Sequence, residues 1–255
     1  MQCIYFLTIQ TKQVNIIVLA NGLFPTEPRI LNQLFDADRV VCCDGALQKY
    51  MAWYRNQQQH PRHTVAVVGD GDSLKAETLR EAQALGIEVV REVVSEQESN
   101  DLSKAVRFAM EHGAWSMEHG LPQDGSRPNS QFSILNSQLT QVCILGATGL
   151  REDHTLGNIS LLAHYMQCYP NIDFSMTSDY GTLYPMQGHR TFQSKRGQQV
   201  SLFSLTPQIP VSVQGLKYPI RNRCLHSWWE GTLNEALGEK FEISGGTMIV
   251  EIIHL

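Results

Sequence analysis

Five aspartates in this chain follow, or lie close behind, short apolar runs. Asp44 comes after RVVCC, Asp70 and Asp72 alternate in GDGDS after TVAVV, Asp101 opens a helical stretch, and Asp153 lies in GATGLREDH after QVCIL. A single aspartate at such a place usually caps a helix or forms a turn. Carboxylates gathered at one edge repel one another and raise one another's pKa unless a cation sits among them. A hard divalent ion with oxygen ligands, most simply Mg²⁺, meets that demand and also holds phosphates. In Asp70-Gly71-Asp72 the glycine lets the backbone turn so that both acids can converge on one ion. Gly146 to His154 offers a second kind of chemistry. Its glycines admit a phosphate close to the backbone, the helix that follows has free N–H groups, and Arg151 can grip phosphate oxygens with two donors. Lys104 lies three residues after Asp101, on the same helix face, where it can pair with that acid or reach a phosphate. No Walker A or GxGxxG pattern is present, so neither a P-loop enzyme nor an ordinary dinucleotide enzyme is supported.

The elements that must position these residues alternate. Residues 14–20, 39–43, 64–68, 87–90, 141–145 and 172–176 read as buried strands, most of them apolar at consecutive positions, as strands covered on both faces are. Residues 46–55, 74–85, 101–112 and 155–169 carry helical patterns between them. This predicts an α/β fold, a doubly wound and mostly parallel sheet with right-handed crossovers. Ligands of such sheets bind beyond the carboxyl ends of the strands, where all five acids and Asn21-Gly22 fall. From about residue 182 the pattern becomes short strand-like pieces broken by turn signals, which predicts a smaller antiparallel β-domain. The sequence therefore divides at 1–181 and 182–255. Residues 115–140, rich in Ser, Gln, Asn, Gly and Pro, make an unusually long connection. Trp228-Trp229 can stack an aromatic ligand, although strand alternation would turn one of the two into the core.

Composition narrows the classes. At 255 residues, 42% hydrophobic and 18% charged, the chain is globular and large enough to hide roughly 73% of its unfolded surface. A net charge of −5 with no basic stripe argues against nucleic acid as a partner. Six cysteines without a CxxC pair suit a reducing compartment. The N-terminus lacks the features of a signal peptide, and no apolar run is long enough to span a bilayer. A cytoplasmic protein with no membrane partner is expected.

Taken in order, DGA, VVGDGDS, SNDLSKA, GATGLREDHTLGNIS, QGLKYP and GTLNEA resemble the thiamine pyrophosphokinase family, from about residue 14 to the C-terminus. The resemblance implies an ATP- and Mg²⁺-binding catalytic domain over 1–181 and a thiamine-binding β-sandwich over 182–255. It also implies a homodimer with the active site shared between subunits. The implied reaction moves a pyrophosphoryl group from ATP to the hydroxyl of thiamine, giving thiamine diphosphate and AMP. On this resemblance Asp70, Asp72 and Asp101 are metal and catalytic acids, and Asp153 orients or deprotonates the alcohol. Asp44, Asn21, Gly22, Lys104 and Arg151 serve the nucleotide, and Thr232 and Asn234 belong to the thiamine pocket. Three positions depart from the family pattern: Leu150 replaces a glycine, Leu233 a serine, and Asn100 a frequent threonine. The competing expectations are another Mg²⁺-dependent transferase, such as one using a nucleotide-sugar, or a nucleotide- and thiamine-binding protein with impaired catalysis.

Overall fold

The computed structural model describes residues 14–71, 73–91, 100–112 and 139–255. Asp72 and nearly all of the expected long connection at 115–140 lie outside them. Six parallel strands form one half of the sheet: β1 (Val14–Leu19), β2 (Arg39–Cys43), β3 (Thr64–Gly69), β4 (Glu88–Arg91), β5 (Leu139–Leu145) and β6 (Asp173–Thr177), in the order β6-β5-β1-β2-β3-β4. All five residues of β2 and five of the six in β1 are buried, as consecutive apolar residues require in a doubly covered sheet. The helices are α1 (Pro28–Phe35), α2 (Ala46–Arg55), α3 (Ala76–Ala84), α4 (Asp101–His112) and α5 (Glu152–Cys168).

Helix α1 has no counterpart in the sequence reading. Only Ile30 and Leu34, four residues apart, are buried, and Pro28 begins the helix where its missing N–H costs nothing. Its start is fixed from far away in sequence. The Asp179 carboxylate accepts from the amides of Thr26 and Glu27 at 3.0 and 3.2 Å, and from the Thr26 hydroxyl at 2.6 Å. Helix α5 begins at Glu152, three residues earlier than the periodicity indicates, because its first turn is acidic and exposed.

The antiparallel part consists of β7 (Gly181–Gln193), β8 (Gln199–Ser204), β9 (Ser212–Gln214), β10 (Asn234–Glu235) and β11 (Lys240–Ile253). It continues the same sheet: β7 pairs antiparallel with β6, and the order runs on through β11 and β8 to β10. Two of these strands are longer than their broken patterns predict. In β11 the register with β7 shifts between Ser244 and Thr247, at Gly245-Gly246. That irregularity lets the first half of β11 pair with β9 and the second half with β8. A core separate from that of the parallel half results, with Phe192, Leu202, Val213, Phe241, Ile243 and Val250 among its buried members. The pair Trp228-Trp229 lies on a 3₁₀ turn (Trp228–Gly231), not on a strand, so alternation does not sort the two. Trp228 donates its indole N–H to the Ser204 carbonyl at 3.2 Å, whereas Trp229 is 75% exposed.

Candidate active site

The strand order reverses between β1 and β5, and the loops leaving these two strands are zipped together. The amides of Ala20, Gly22 and Leu23 donate to the carbonyls of Leu145, Gly146 and Thr148 at 2.8, 2.5 and 2.9 Å. A Cβ on Gly22 would run into the Gly146 and Thr148 carbonyl oxygens, so glycine is required here by space rather than by dihedral angle. The turn also carries Asn21, whose amide lies against Gly45, directly after Asp44. Asn21-Gly22, Asp44-Gly45 and Gly146 to Thr148 thus form one crevice, where ligands of such sheets bind.

Asp44 sits at the end of β2 and is 1% exposed. Its Oδ2 accepts from the Ser73 amide at 3.0 Å, while Oδ1 is buried with no hydrogen-bond partner among the described residues. Gly69 packs against it so tightly that a Cβ there would lie 2.5 Å from the Asp44 Cβ. Burial pushes the Asp44 carboxyl up, and the charges of Asp70 and Asp101 add to the push. Asp70 lies in the exposed turn after β3, and Asp101 in the first turn of α4. The three acids therefore sense one another across the ends of β2, β3 and the start of α4. Among the described residues no three potential ligands already surround a single point. A buried carboxylate oxygen without a partner among the described residues, in the field of two further acids, nevertheless fits a divalent cation, which would supply that partner.

Lys104 is buried, and its Nζ lies 3.2 Å from Asp101 Oδ1, so in this state it serves that acid. Asn100, one of the three departures, accepts from the Ser103 amide at 2.8 Å and caps α4 as a threonine would. The loop after β5 is pinned from behind by the buried Asn158, whose amide donates to the Ala147 carbonyl at 2.7 Å. Sequence reasoning assigned Asn158 no role, although it closes the GATGLREDHTLGN motif.

Arg151 and Asp153 form a two-pronged pair, Nε to Oδ1 at 3.0 Å and Nη2 to Oδ2 at 2.5 Å. The Arg151 guanidinium holds the Asp153 carboxyl at about 2, helped by the His154 amide. A lowered carboxylate pKa means that the ionised form is preferred in the fold. The pair therefore persists at neutral pH and is lost only as pH falls through about 2. Carboxylate NMR titration is expected to place the Asp153 midpoint there, and to move it up toward the ordinary carboxylate range in Arg151→Gln.

Leu150 takes φ 69° and is 69% exposed. This is the left-handed region, which costs a side-chain-bearing residue about 1–2 kcal/mol, and the family pattern has glycine here. Leu150→Gly is expected to gain up to about 1 kcal/mol once the added freedom of the unfolded chain is subtracted. Thermal melts of the two proteins measure the gain. Leu233 is also left-handed, at φ 61°, and 76% exposed.

The expected thiamine-pocket residues lie elsewhere. Thr232 donates its hydroxyl to the Trp229 carbonyl at 2.8 Å. Asn234 is buried: Nδ2 donates to the Tyr218 carbonyl at 2.8 Å, and Oδ1 accepts from the amides of Tyr218 and Glu235 at 3.0 and 2.9 Å. These bonds hold Tyr218 in place and leave one N–H of Nδ2 for another acceptor. β10, which contains Asn234, is six positions from β1 in the sheet order.

Asp44, Asp70, Asp101, Lys104, Arg151 and Asp153 fall within a match over residues 31–173 to the family model for the thiamin pyrophosphokinase catalytic domain, and β1 with Asn21-Gly22 precedes it. The model for the substrate-binding domain matches residues 181–250. The chain belongs to the thiamin pyrophosphokinase family. It is 25% identical to thiamine pyrophosphokinase 1 of Oryza sativa subsp. japonica, over 76% of this chain and 70% of the relative. Its fold is similar to that of thiamin pyrophosphokinase from Candida albicans, with a TM-score of 0.76 at 19% identity over 94% of this chain and 89% of the other. The Bacillus subtilis enzyme gives 0.67 at 21% identity, over 94% and 98%. The mixed sheet, parallel and then antiparallel, is shared with these pyrophosphokinases. Among the described residues, no helix is long and apolar enough to cross a membrane.

Proposed function

We propose that this thiamin pyrophosphokinase uses ATP and Mg²⁺ to pyrophosphorylate the hydroxyl of thiamine, releasing AMP. The observation that carries the reading is the buried Asp44, one oxygen of which has no partner among the described residues, in the field of Asp70 and Asp101 near the crevice where the strand order reverses. Asp44, Asp70 and Asp101, with Asp72 beside them in sequence, would hold the metal, whose charge offsets that of the polyphosphate. The thiamine oxygen forms a bond to the β-phosphorus and gives up its proton to water, the bond from that phosphorus to the α–β bridging oxygen breaks, and AMP leaves with the bridging oxygen. Positioning and electrostatics carry most of such a transfer. Held near 2, the Asp153 carboxyl is a poor proton acceptor while Arg151 grips it. Arg151 turning to a phosphate would free Asp153 to accept a hydrogen bond from the alcohol and orient it.

Trp229 presents an exposed aromatic face beside Thr232, suited to a flat cation such as thiamine. Because the turn that carries Trp229 packs on β8, five strand positions from β1 in the sheet order, we infer a homodimer in which one copy's β-strands complete the other's site. The five described cysteines are all free thiols, consistent with a cytoplasmic setting.

Incubation with ATP, MgCl₂ and thiamine is expected to yield AMP and thiamine diphosphate, and to yield neither when EDTA is added. ADP with thiamine monophosphate would overturn the donor assignment. Release of a nucleoside diphosphate from a nucleotide-sugar, with no reaction on thiamine, would favour the other transferase. Binding of ATP and thiamine without AMP formation would identify an impaired enzyme.

A further inference from the structure

The cations near the crevice are not equivalent. Lys104 is held by Asp101 and Arg151 by Asp153. Lys49, one turn into α2, forms no ion pair with any described carboxylate. It reaches back to the turn leaving β1, where its ammonium donates to the carbonyls of Asn21 at 2.8 Å and Gly22 at 2.5 Å. An ammonium has three donors, and the third has no acceptor among the described residues. Neutral carbonyls leave the charge uncompensated, and partial burial withdraws it from water, which pushes its pKa down. The same turn is zipped to Gly146 and Thr148, so the ammonium is fixed where the two loops of the crevice meet.

We propose that Lys49 binds the phosphate chain of the nucleotide, its carbonyl-held ammonium supplying positive charge that no carboxylate has to release first, unlike that of Lys104 and Arg151. The inference rests on the reading of the crevice as a nucleotide site and adds a residue that the sequence motifs did not single out. A cation held by two main-chain carbonyls is pre-positioned, so little side-chain freedom is lost when a phosphate arrives.

The test compares wild type, Lys49→Met and Lys49→Arg by calorimetric titration with Mg·ATP and with adenosine, in the absence of thiamine. Lys49→Met is expected to weaken Mg·ATP binding by about tenfold to hundredfold, the range for a lost charge-assisted hydrogen bond, and to leave adenosine binding unchanged. Lys49→Arg is expected to restore most of the ATP affinity. Equal losses for ATP and adenosine, accompanied by a lowered Tm, would mean that Lys49 only clamps the turn and would overturn the proposal. Unchanged ATP affinity in Lys49→Met would overturn it too. Should Lys49→Met fail to fold, Lys49→Gln, whose amide can still donate to one carbonyl, takes its place with the same expected outcomes. If wild type itself binds no Mg·ATP, the functional reading fails, an outcome distinct from loss of the Lys49 assignment alone.

Discussion

Asp44→Asn is expected to lower kcat/KM for thiamine pyrophosphorylation by about 10²–10³-fold, the usual cost of removing one group that stabilises transition-state charge, while Tm stays level or rises. The two effects have one origin. Burial and the charges of Asp70 and Asp101 raise the Asp44 pKa, so its ionised form at neutral pH costs the folded state stability. Asparagine has the same shape and keeps an oxygen for the Ser73 amide, and its Nδ2 replaces an oxygen that has no hydrogen-bond partner among the described residues. The substitution therefore relieves repulsion in the empty site and removes charge that the filled site needs. Steady-state kinetics and a thermal melt on the same preparation check both halves. Full activity in Asp44→Asn would remove Asp44 from the site, and a fall in Tm would mean that the acid is structural.

Gly22→Ala is expected to destabilise the fold by about 1–3 kcal/mol, the range for overpacking a filled site, and so to lower Tm by roughly 3–10 °C. The obstacles to the new methyl are the carbonyl oxygens of Gly146 and Thr148, which are main-chain atoms and cannot swing aside. Relief requires the two loops to part, which breaks the bonds from Gly22 to Gly146 and from Leu23 to Thr148. Nucleotide binding should weaken with stability, because the same turn carries Asn21 and the carbonyls that hold Lys49. A melt that matches wild type would show that the loops are free to separate.

The parallel half of the fold is legible because burial on both faces leaves consecutive apolar residues in β1, β2 and β3, and because each run ends in glycine, aspartate or asparagine. Helix α1 is not legible. Two buried side chains in eight residues make a weak period, and its start is fixed by Asp179, about 150 positions away. The long strands β7 and β11 read as fragments because Gly188 in β7 and Gly245-Gly246 in β11 look like turns, whereas the last two are a shift within a continuous strand. For the candidate site, residue type and strand-end position point to Asp44, Asp70 and Asp101, whose charges act on one another in the fold. They do not point to Lys49 or Asn158, whose contacts are with main-chain carbonyls that no side-chain pattern encodes. For Asn234 the motif position marks a pocket residue, and the fold adds what the motif does not encode, an amide that holds Tyr218.

The most direct test of the account follows the phosphorus atoms. In a single turnover with Mg²⁺, thiamine and ATP labelled at the β-phosphorus, the label is expected in thiamine diphosphate, with unlabelled AMP released. Label retained in ADP, with thiamine carrying only the γ-phosphoryl group, would contradict it.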